Sequence, residues 1–207
     1  QFHGVSFHSF IWTWQYSGAS TEIIPVALRA RSLKGIICGM RNNSIVNKAD
    51  AFSLSRRVSA NLKQYVWNIG SIRLPQAPVV LKPGAEGMVQ AYAELVKMFS
   101  SFNSLDYAGR VEMDQYFDAG FALGIDTEAY SQDTSLLESG MDTSSQSLPV
   151  RLELTFGAGN TERSTGGNGG YAKGRDIAAV AGSTCRADIY GMVDVIYSVT
   201  ADGTSNT

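Results

Sequence analysis

Apolar residues recur along much of this chain with the two-residue period of a β-strand that buries one face. The clearest case lies in 5–16, where every second residue from Phe10 to Tyr16 is aromatic. Residues 150–156 alternate in the same way between apolar and polar side chains. Together with the turn-rich segments between them, such runs predict eight strands, at 5–16, 22–29, 33–41, 52–55, 65–74, 117–125, 150–156 and 186–200.

Two of these strands show which residues should face a core. In 65–74 the residues on the predicted core face are Tyr65, Trp67 and Ile69. Gly70 is predicted to mark a bulge, and Pro75 and Pro78 are expected to end the strand. In 186–200 the predicted core face comprises Ile189, Val193, Val195, Tyr197 and Val199. Arg186, Asp188 and Asp194 point the other way.

One segment has the helical period instead. An amphipathic helix is predicted at 86–102, after the helix-breaking pair Pro83 and Gly84. Its apolar stripe comprises Met88, Tyr92, Leu95, Val96 and Phe99. A stripe of this kind is typical of a helix that packs against a core.

Eight antiparallel strands with one inserted amphipathic helix predict an all-β fold, an eight-stranded jelly-roll sandwich of two packed sheets. The 207 residues provide for a single such domain, 1–207. Glycine, threonine and asparagine dominate 157–174, which is predicted to be a flexible Gly-rich surface loop. The polar tail 201–207 is expected to be loose.

The low content of charged residues is compatible with a protein that associates with other subunits. Only 17% of the residues are charged, below the usual quarter, and the formal net charge is −2. Interface cores are depleted in charge, so this composition is compatible with extensive subunit contact. The densest basic groups are Arg29, Arg31 and Lys34, and Arg56, Arg57 and Lys63. Neither is a basic block, so we expect no direct sequence-specific nucleic-acid binding.

The two cysteines, Cys38 and Cys185, both lie in strongly apolar segments. We predict buried free thiols and synthesis in a reducing compartment, with one long-range disulfide as the alternative. No apolar run reaches the roughly 18 residues of a transmembrane helix. The chain starts at Gln1 without methionine, as a fragment or processed piece of a larger protein would.

Residues that catalysis or metal binding would need are scarce. His3 and His8 fall on opposite faces of a strand and cannot form a metal pair alone. The glycine-rich stretches 157–159 and 166–170 lack the Gly-Lys-Ser/Thr ending of a phosphate loop. Three acidic pairs lack calcium-loop spacing: Asp126 and Glu128, Glu112 and Asp114, and Asp133 and Glu138. We predict no catalytic, cofactor-binding or metal-binding residues, and no cofactor.

Two other function classes stay open beside a structural role. A lectin-like, carbohydrate-binding jelly-roll module would use exposed tryptophans, among Trp12, Trp14 and Trp67, as a sugar platform. A β-sandwich glycoside hydrolase would need paired carboxylates in a cleft. Packing in the core or at a subunit interface is the favoured role of the tryptophans.

A succession of short segments carries a family resemblance. In order they are Pro-Val-Ala-Leu-Arg-Ala-Arg-Ser-Leu-Lys at 25–34, Ile-Ile-Cys-Gly-Met-Arg at 36–41, Tyr-Val-Trp-Asn-Ile-Gly at 65–70, Leu-Pro at 74–75, Ala-Tyr-Ala-Glu-Leu-Val-Lys at 91–97, Gly-Phe-Ala-Leu-Gly-Ile-Asp at 120–126, Leu-Glu-Ser-Gly-Met-Asp-Thr at 137–143 and Ala-Asp-Ile-Tyr-Gly-Met-Val-Asp-Val-Ile-Tyr at 187–197. This order resembles the C-terminal jelly roll of the double jelly-roll major capsid proteins of tailless double-stranded DNA viruses and of polinton-like and virophage-like elements. Members of that family carry two jelly rolls, whereas this chain has room for one, as expected of a fragment of such a protein or of a coat protein with a single jelly roll.

The resemblance implies a structural protein rather than an enzyme. Three chains would form a pseudo-hexagonal capsomer, and capsomers would build the icosahedral shell of a virion. The implied partners are the other chains of the homotrimer, neighbouring capsomers, and penton and minor capsid proteins. Synthesis would take place in the host cytoplasm or nucleus. We expect Trp12, Trp14 or the loop 157–174 to include residues that are buried only in the assembly.

Overall fold

A computed structural model describes residues 2–43, 57–81, 88–101, 116, 120–128, 140–145, 149–157, 182–200 and 203–206. The strands are β1 (Phe2–Gln15), β2 (Thr21–Val26), β3 (Leu33–Asn42), β4 (Leu62–Ile69), β5 (Ile72–Val80), β6 (Ala122–Asp126), β7 (Val150–Phe156), β8 (Thr184–Thr200) and β9 (Gly203–Asn206). One helix, α1, spans Val89–Ser101. The predicted strand at 52–55 lies outside the described residues, as does the predicted loop 157–174 beyond Gly157.

The strands form two antiparallel sheets with jelly-roll connectivity. Sheet A has the order β1-β8-β3-β6, with β9 paired to the far end of β8, and sheet B has the order β2-β7-β4-β5. The chain changes sheet at every connection from β1 to β8 except the one between β4 and β5. This interleaving of two four-stranded sheets is the jelly-roll arrangement. The prediction of an all-β, eight-stranded jelly-roll sandwich with one inserted helix is confirmed.

Alternation along the strands builds the core between the sheets. The buried face of β1 is the predicted aromatic one: Trp14 and Tyr16 are buried, and Phe10 and Trp12 pack partly buried against the same core. Facing residues of sheet B join them, and the Trp14 and Phe156 rings stack with centroids 6.1 Å apart. Aromatic pairs at such distances add to the stabilisation from burial alone.

The single strand predicted at 65–74 is wrong, because the chain forms a hairpin there. β4 ends at Ile69, the turn uses Gly70, and β5 begins at Ile72. Gly70 has φ +61°, a left-handed conformation that glycine adopts at little cost, so it makes the turn rather than a bulge. Pro75 and Pro78 lie inside β5 instead of ending the strand. Proline is tolerated there because β5 is an edge strand.

The helix is confirmed, but its buried stripe is rotated from the prediction. Ala91, Leu95 and Met98 are fully buried, and Met88, Tyr92 and Phe99 pack partly buried against the core. Val96, which was predicted to lie in the stripe, is 46% exposed.

Two glycines receive the helix on the outer face of sheet A. A Cβ on Gly124 would lie 2.9 Å from the Leu95 Cα, and a Cβ on Gly35 would lie 3.0 Å from the Met98 Cγ. Because no side chain stands at these positions, α1 approaches β6 closely and covers that edge of the sheet.

The tail departs from the sequence prediction. Residues 203–206 were expected to be loose, but they form β9, which pairs antiparallel with β8. Thr200 lies opposite Gly203, so β8 and β9 make a tight hairpin. The pairing satisfies backbone groups of β8 beyond the end of its ladder with β3.

Both cysteines are free and buried, as predicted. Cys38 lies on β3 opposite Ile189, whereas Cys185 lies opposite Asn42, four positions further along β3. At about 3.4 Å per residue, this offset separates the two by roughly 13 Å, well beyond disulfide reach. Burial raises the pKa of the Cys38 thiol far above its ordinary value, so it stays protonated.

Candidate interaction surface

The residues considered for metal binding do not converge. Asp126 Oδ1 accepts a hydrogen bond from the Glu128 backbone N–H, and the Glu128 carboxylate pairs with Lys34 at 3.0 Å. Within the described ranges, no group of three or more His, Cys, Asp or Glu side chains could hold a metal ion. His8 is exposed on β1. The other two acidic pairs, at 112 and 114 and at 133 and 138, lie outside the described residues.

The tryptophans do not form a sugar platform. Trp67 and Trp14 are buried in the sandwich. Trp12 is partly buried, and its Nε1–H donates a hydrogen bond of 2.9 Å to Glu22 Oε1 on β2. Trp14 is therefore not one of the residues that only an assembly would bury, since its own sandwich already covers it. For Trp12 and the loop 157–174 the expectation stays a prediction.

Charged residues cluster on the outer face of sheet A. Asp188 faces away from the core, as predicted, yet only 5% of its side chain is exposed. Its two carboxylate oxygens engage Arg186 Nε at 2.6 Å and Arg41 Nε at 3.3 Å. The strand register brings these three side chains together, because Arg41 on β3 lies directly opposite Arg186 on β8. The Arg57 side chain lies over Gly39, next to this cluster. A Cβ on Gly39 would lie 2.8 Å from the Arg57 Nε.

A second polar cluster fastens residues 140–143 to the sandwich. The Leu33 and Met141 backbones exchange two hydrogen bonds of 2.9 Å, and the Thr143 backbone N–H donates to Ala30 O at 2.7 Å. Ser32 Oγ accepts from the Gly140 N–H at 2.9 Å and donates to the Asp194 carboxylate. These bonds hold residues 140–143 in place at the start of β3, which belongs to the same sheet as the Asp188 cluster.

An apolar stripe lies on the outer face of sheet A, along its first edge. Val5, Phe7 and Ile11 of β1 are 49%, 59% and 53% exposed, and Tyr190 of β8 is 42% exposed. They share a face because the core-facing side chains of β1 occupy the even positions, whereas these occupy odd ones. Tyr190 joins the stripe directly, since it lies opposite Ser9 in the ladder. We call this set the β1 stripe.

The β1 edge also differs from the other three sheet edges. Pro25 interrupts β2, Pro75 and Pro78 interrupt β5, and α1 packs on β6. Proline and a covering helix are common means of blocking strand addition. By contrast, β1 runs for 14 residues with no proline and no Asp, Glu, Lys or Arg. Among the described strands, β1 pairs only with β8.

Hydrogen-bond geometry fixes which backbone groups face outward from β1. The Tyr16 N–H donates to Ser183 O at 2.9 Å, which continues the β1–β8 ladder. Antiparallel ladders bond every second residue, so the even residues of β1 bond to β8 and the odd residues direct their N–H and C=O to the open edge. The positions that carry the exposed apolar side chains therefore also carry the outward backbone groups.

Comparison with solved structures finds chains of similar fold. The chain is similar to VP54 of PBCV-1, whose crystal structure was fitted into a cryo-EM reconstruction of the virophage Sputnik, with 8% identity, a TM-score of 0.52, and coverage of 100% of this chain and 51% of that chain. A chain from a quasi-atomic model of the PBCV-1 virus capsid matches with 11% identity and a TM-score of 0.39, over 94% of this chain and 43% of that one. This chain thus spans about half the length of the solved chains it matches.

The match to VP54 confirms that the resemblance noted in the sequence extends to the fold. No protein-family model and no curated protein sequence matches the chain. No helix in the described part of the chain is long and apolar enough to cross a membrane.

Proposed function

We propose that this chain is a structural unit of a viral capsid, one jelly roll of a shell protein that functions by assembling with copies of itself. The observation that carries the proposal is the jelly-roll strand order, 1-8-3-6 against 2-7-4-5, which aligns along the whole chain with a protein fitted into a virus particle. The β1 stripe and its open edge support self-association, because exposed apolar patches and unprotected strand edges mark sites of contact.

The finer assignment follows the family that the sequence resembles. The chain corresponds to the C-terminal jelly roll of a double jelly-roll major capsid protein, in keeping with its match to about half of the solved chain. Three such proteins form a pseudo-hexagonal capsomer, and capsomers form an icosahedral shell together with penton and minor capsid proteins. The protein acts in the virion without catalysis or cofactor, after synthesis in a reducing host compartment, where thiols such as Cys38 and Cys185 stay free.

The physical role of the fold in a shell is mechanical. Two sheets that bury one continuous core make a stiff block. Its β1 edge and the parts of its outer faces that α1 does not cover are available for lateral contacts. The clusters around Asp188 and Ser32 tie strands of sheet A together across its outer face, so that face keeps its shape when a neighbour packs against it.

The solution mass of the complete natural polypeptide that contains this chain tests the proposal. We expect sedimentation velocity to give a trimer, with larger assemblies at high protein concentration. Glycan-array binding and glycosidase assays on the same sample should be negative. A monomer that binds a sugar through a surface of this chain, or that hydrolyses a glycoside, would show that the chain belongs to one of the two alternative classes.

A further inference from the structure

We propose that β1 pairs with β1 of a second copy of this chain, antiparallel and across a two-fold axis at Ser9. The two copies of sheet A then form one continuous sheet. This inference rests on the proposed function only in assuming that the chain associates with copies of itself. It assigns the β1 edge to the contact between neighbouring capsomers.

The first argument is the contrast between edges. Proline or a helix protects β2, β5 and β6, whereas β1 contains no proline and no helix of the described part of the chain covers it. Sheet edges that must stay single are protected in these ways, and long flat edges without such features add another strand. A 14-residue strand offers an edge of roughly 47 Å at about 3.4 Å per residue.

The second argument is that β1 tolerates its own copy. An antiparallel strand that faces its own copy places the same composition on both sides of the axis, so a strand rich in charges of one sign would be repelled by its copy. β1 contains no acidic residue, lysine or arginine. An acidic or basic partner strand would find no complementary charge on β1, whereas a second copy needs none.

The third argument fixes the register. Backbone groups of odd residues face the open edge, so odd residues must lie opposite odd residues of the second copy. With Ser9 on the axis, Phe7 lies opposite Ile11 of the second copy and Val5 lies opposite Thr13, and each pair occurs twice. Aromatic and β-branched residues make favourable cross-strand pairs. This register therefore brings Phe7 and Ile11, whose side chains are more than half accessible in the single chain, into lateral contact with apolar side chains of the second copy.

The test uses cysteine cross-linking of the complete polypeptide under mild oxidation. Ser9→Cys should give a covalent dimer, because paired residues on the axis lie about 5.5 Å apart at Cα, within disulfide range. Thr13→Cys is the matched control: it is also exposed on an odd position, but it lies about 27 Å along the strand from its symmetry mate. The native cysteines are buried and should not contribute.

A second pair of variants measures the strength of the contact. Ile11→Lys should weaken self-association through this edge at least tenfold, whereas Ile23→Lys on β2 should leave it unchanged, although both side chains are 53% exposed. Equal cross-linking by Ser9→Cys and Thr13→Cys, or unchanged association of Ile11→Lys, would overturn the pairing and indicate a different partner for β1.

These readouts separate this inference from the proposed function. Shells that assemble normally from Ile11→Lys capsomers would refute the β1 pairing and leave the capsid proposal intact. Specific Ser9→Cys dimers from a protein that never forms a shell would uphold the pairing and refute the capsid proposal.

Discussion

Leu95→Asp should abolish soluble folded protein, whereas Val96→Asp, one residue away, should be tolerated. Leu95 is fully buried against Gly124, while Val96, about 100° further around α1, is 46% exposed. The buried substitution loses packing worth about 2–5 kcal/mol and adds the cost of a carboxylate without a partner. That sum approaches the whole stability of a typical domain, about 5–15 kcal/mol.

Chemical denaturation and soluble yield would measure these effects. Leu95→Ala should retain the fold with a loss of about 2–5 kcal/mol, which places a measurable variant between the two extremes. Val96→Asp should lie within about 1 kcal/mol of the parent protein. Equal tolerance of aspartate at both positions would mean that α1 does not pack on β6 as described.

Asp188→Ala should destabilise the protein by about 3 kcal/mol, because it leaves two arginines facing each other without a counter-charge. The Asp188 side chain is 5% exposed, and the Arg41 and Arg186 side chains are only 21% and 26% exposed, so water screens this charge cluster weakly. Lys97→Ala is the control, since its pair with Glu94 is exposed at the lysine and is expected to contribute less than about 1 kcal/mol.

A double-mutant cycle would show whether the cluster acts as a unit. Arg186→Met combined with Asp188→Ala should cost less than the sum of the single changes, by about 0.5–3 kcal/mol, because the double variant leaves one unpaired charge fewer. Additive effects, or an Asp188→Ala variant as stable as the parent, would contradict the geometry of the cluster.

Local pattern was sufficient to predict most of the strands. The bounds of β7 match the prediction, and the aromatic face of β1 was identified correctly, because period-two alternation is imposed by the pleat itself. The hairpin at Gly70 is not predictable from the sequence alone, because Pro75 is more typical of the end of a strand than of its interior. The prolines of β5 are compatible with a strand only at a sheet edge, and edge position is set by topology rather than local sequence.

Features that depend on distant residues were not predictable from pattern. The rotation of α1 that buries Met98 instead of Val96 follows from the shallow surface left by Gly35 and Gly124. Asp188 was assigned correctly to the outer face, but its burial depends on Arg41, which is brought opposite by the pairing of β3 with β8.

The candidate interaction surface was visible in part. The segment that carries the aromatic face also contains Val5, Phe7 and Ile11 at odd positions. The aromatic residues at even positions form the stronger pattern, and that pattern favours the tryptophans as contact residues. Apolar residues on both faces of one strand were the available signal. A strand that is buried by its own sandwich on one side and apolar on the other is typical of a contact site, and the described residues leave Val5, Phe7 and Ile11 about half exposed.

Cryo-EM of particles purified from the native source tests the central claim most directly. The account predicts an icosahedral shell in which the jelly roll of this chain fits the density of the capsomers, with sheets of four strands in the order described here. The absence of this chain from every shell component, in particles whose capsomers are fully accounted for by other proteins, would contradict it.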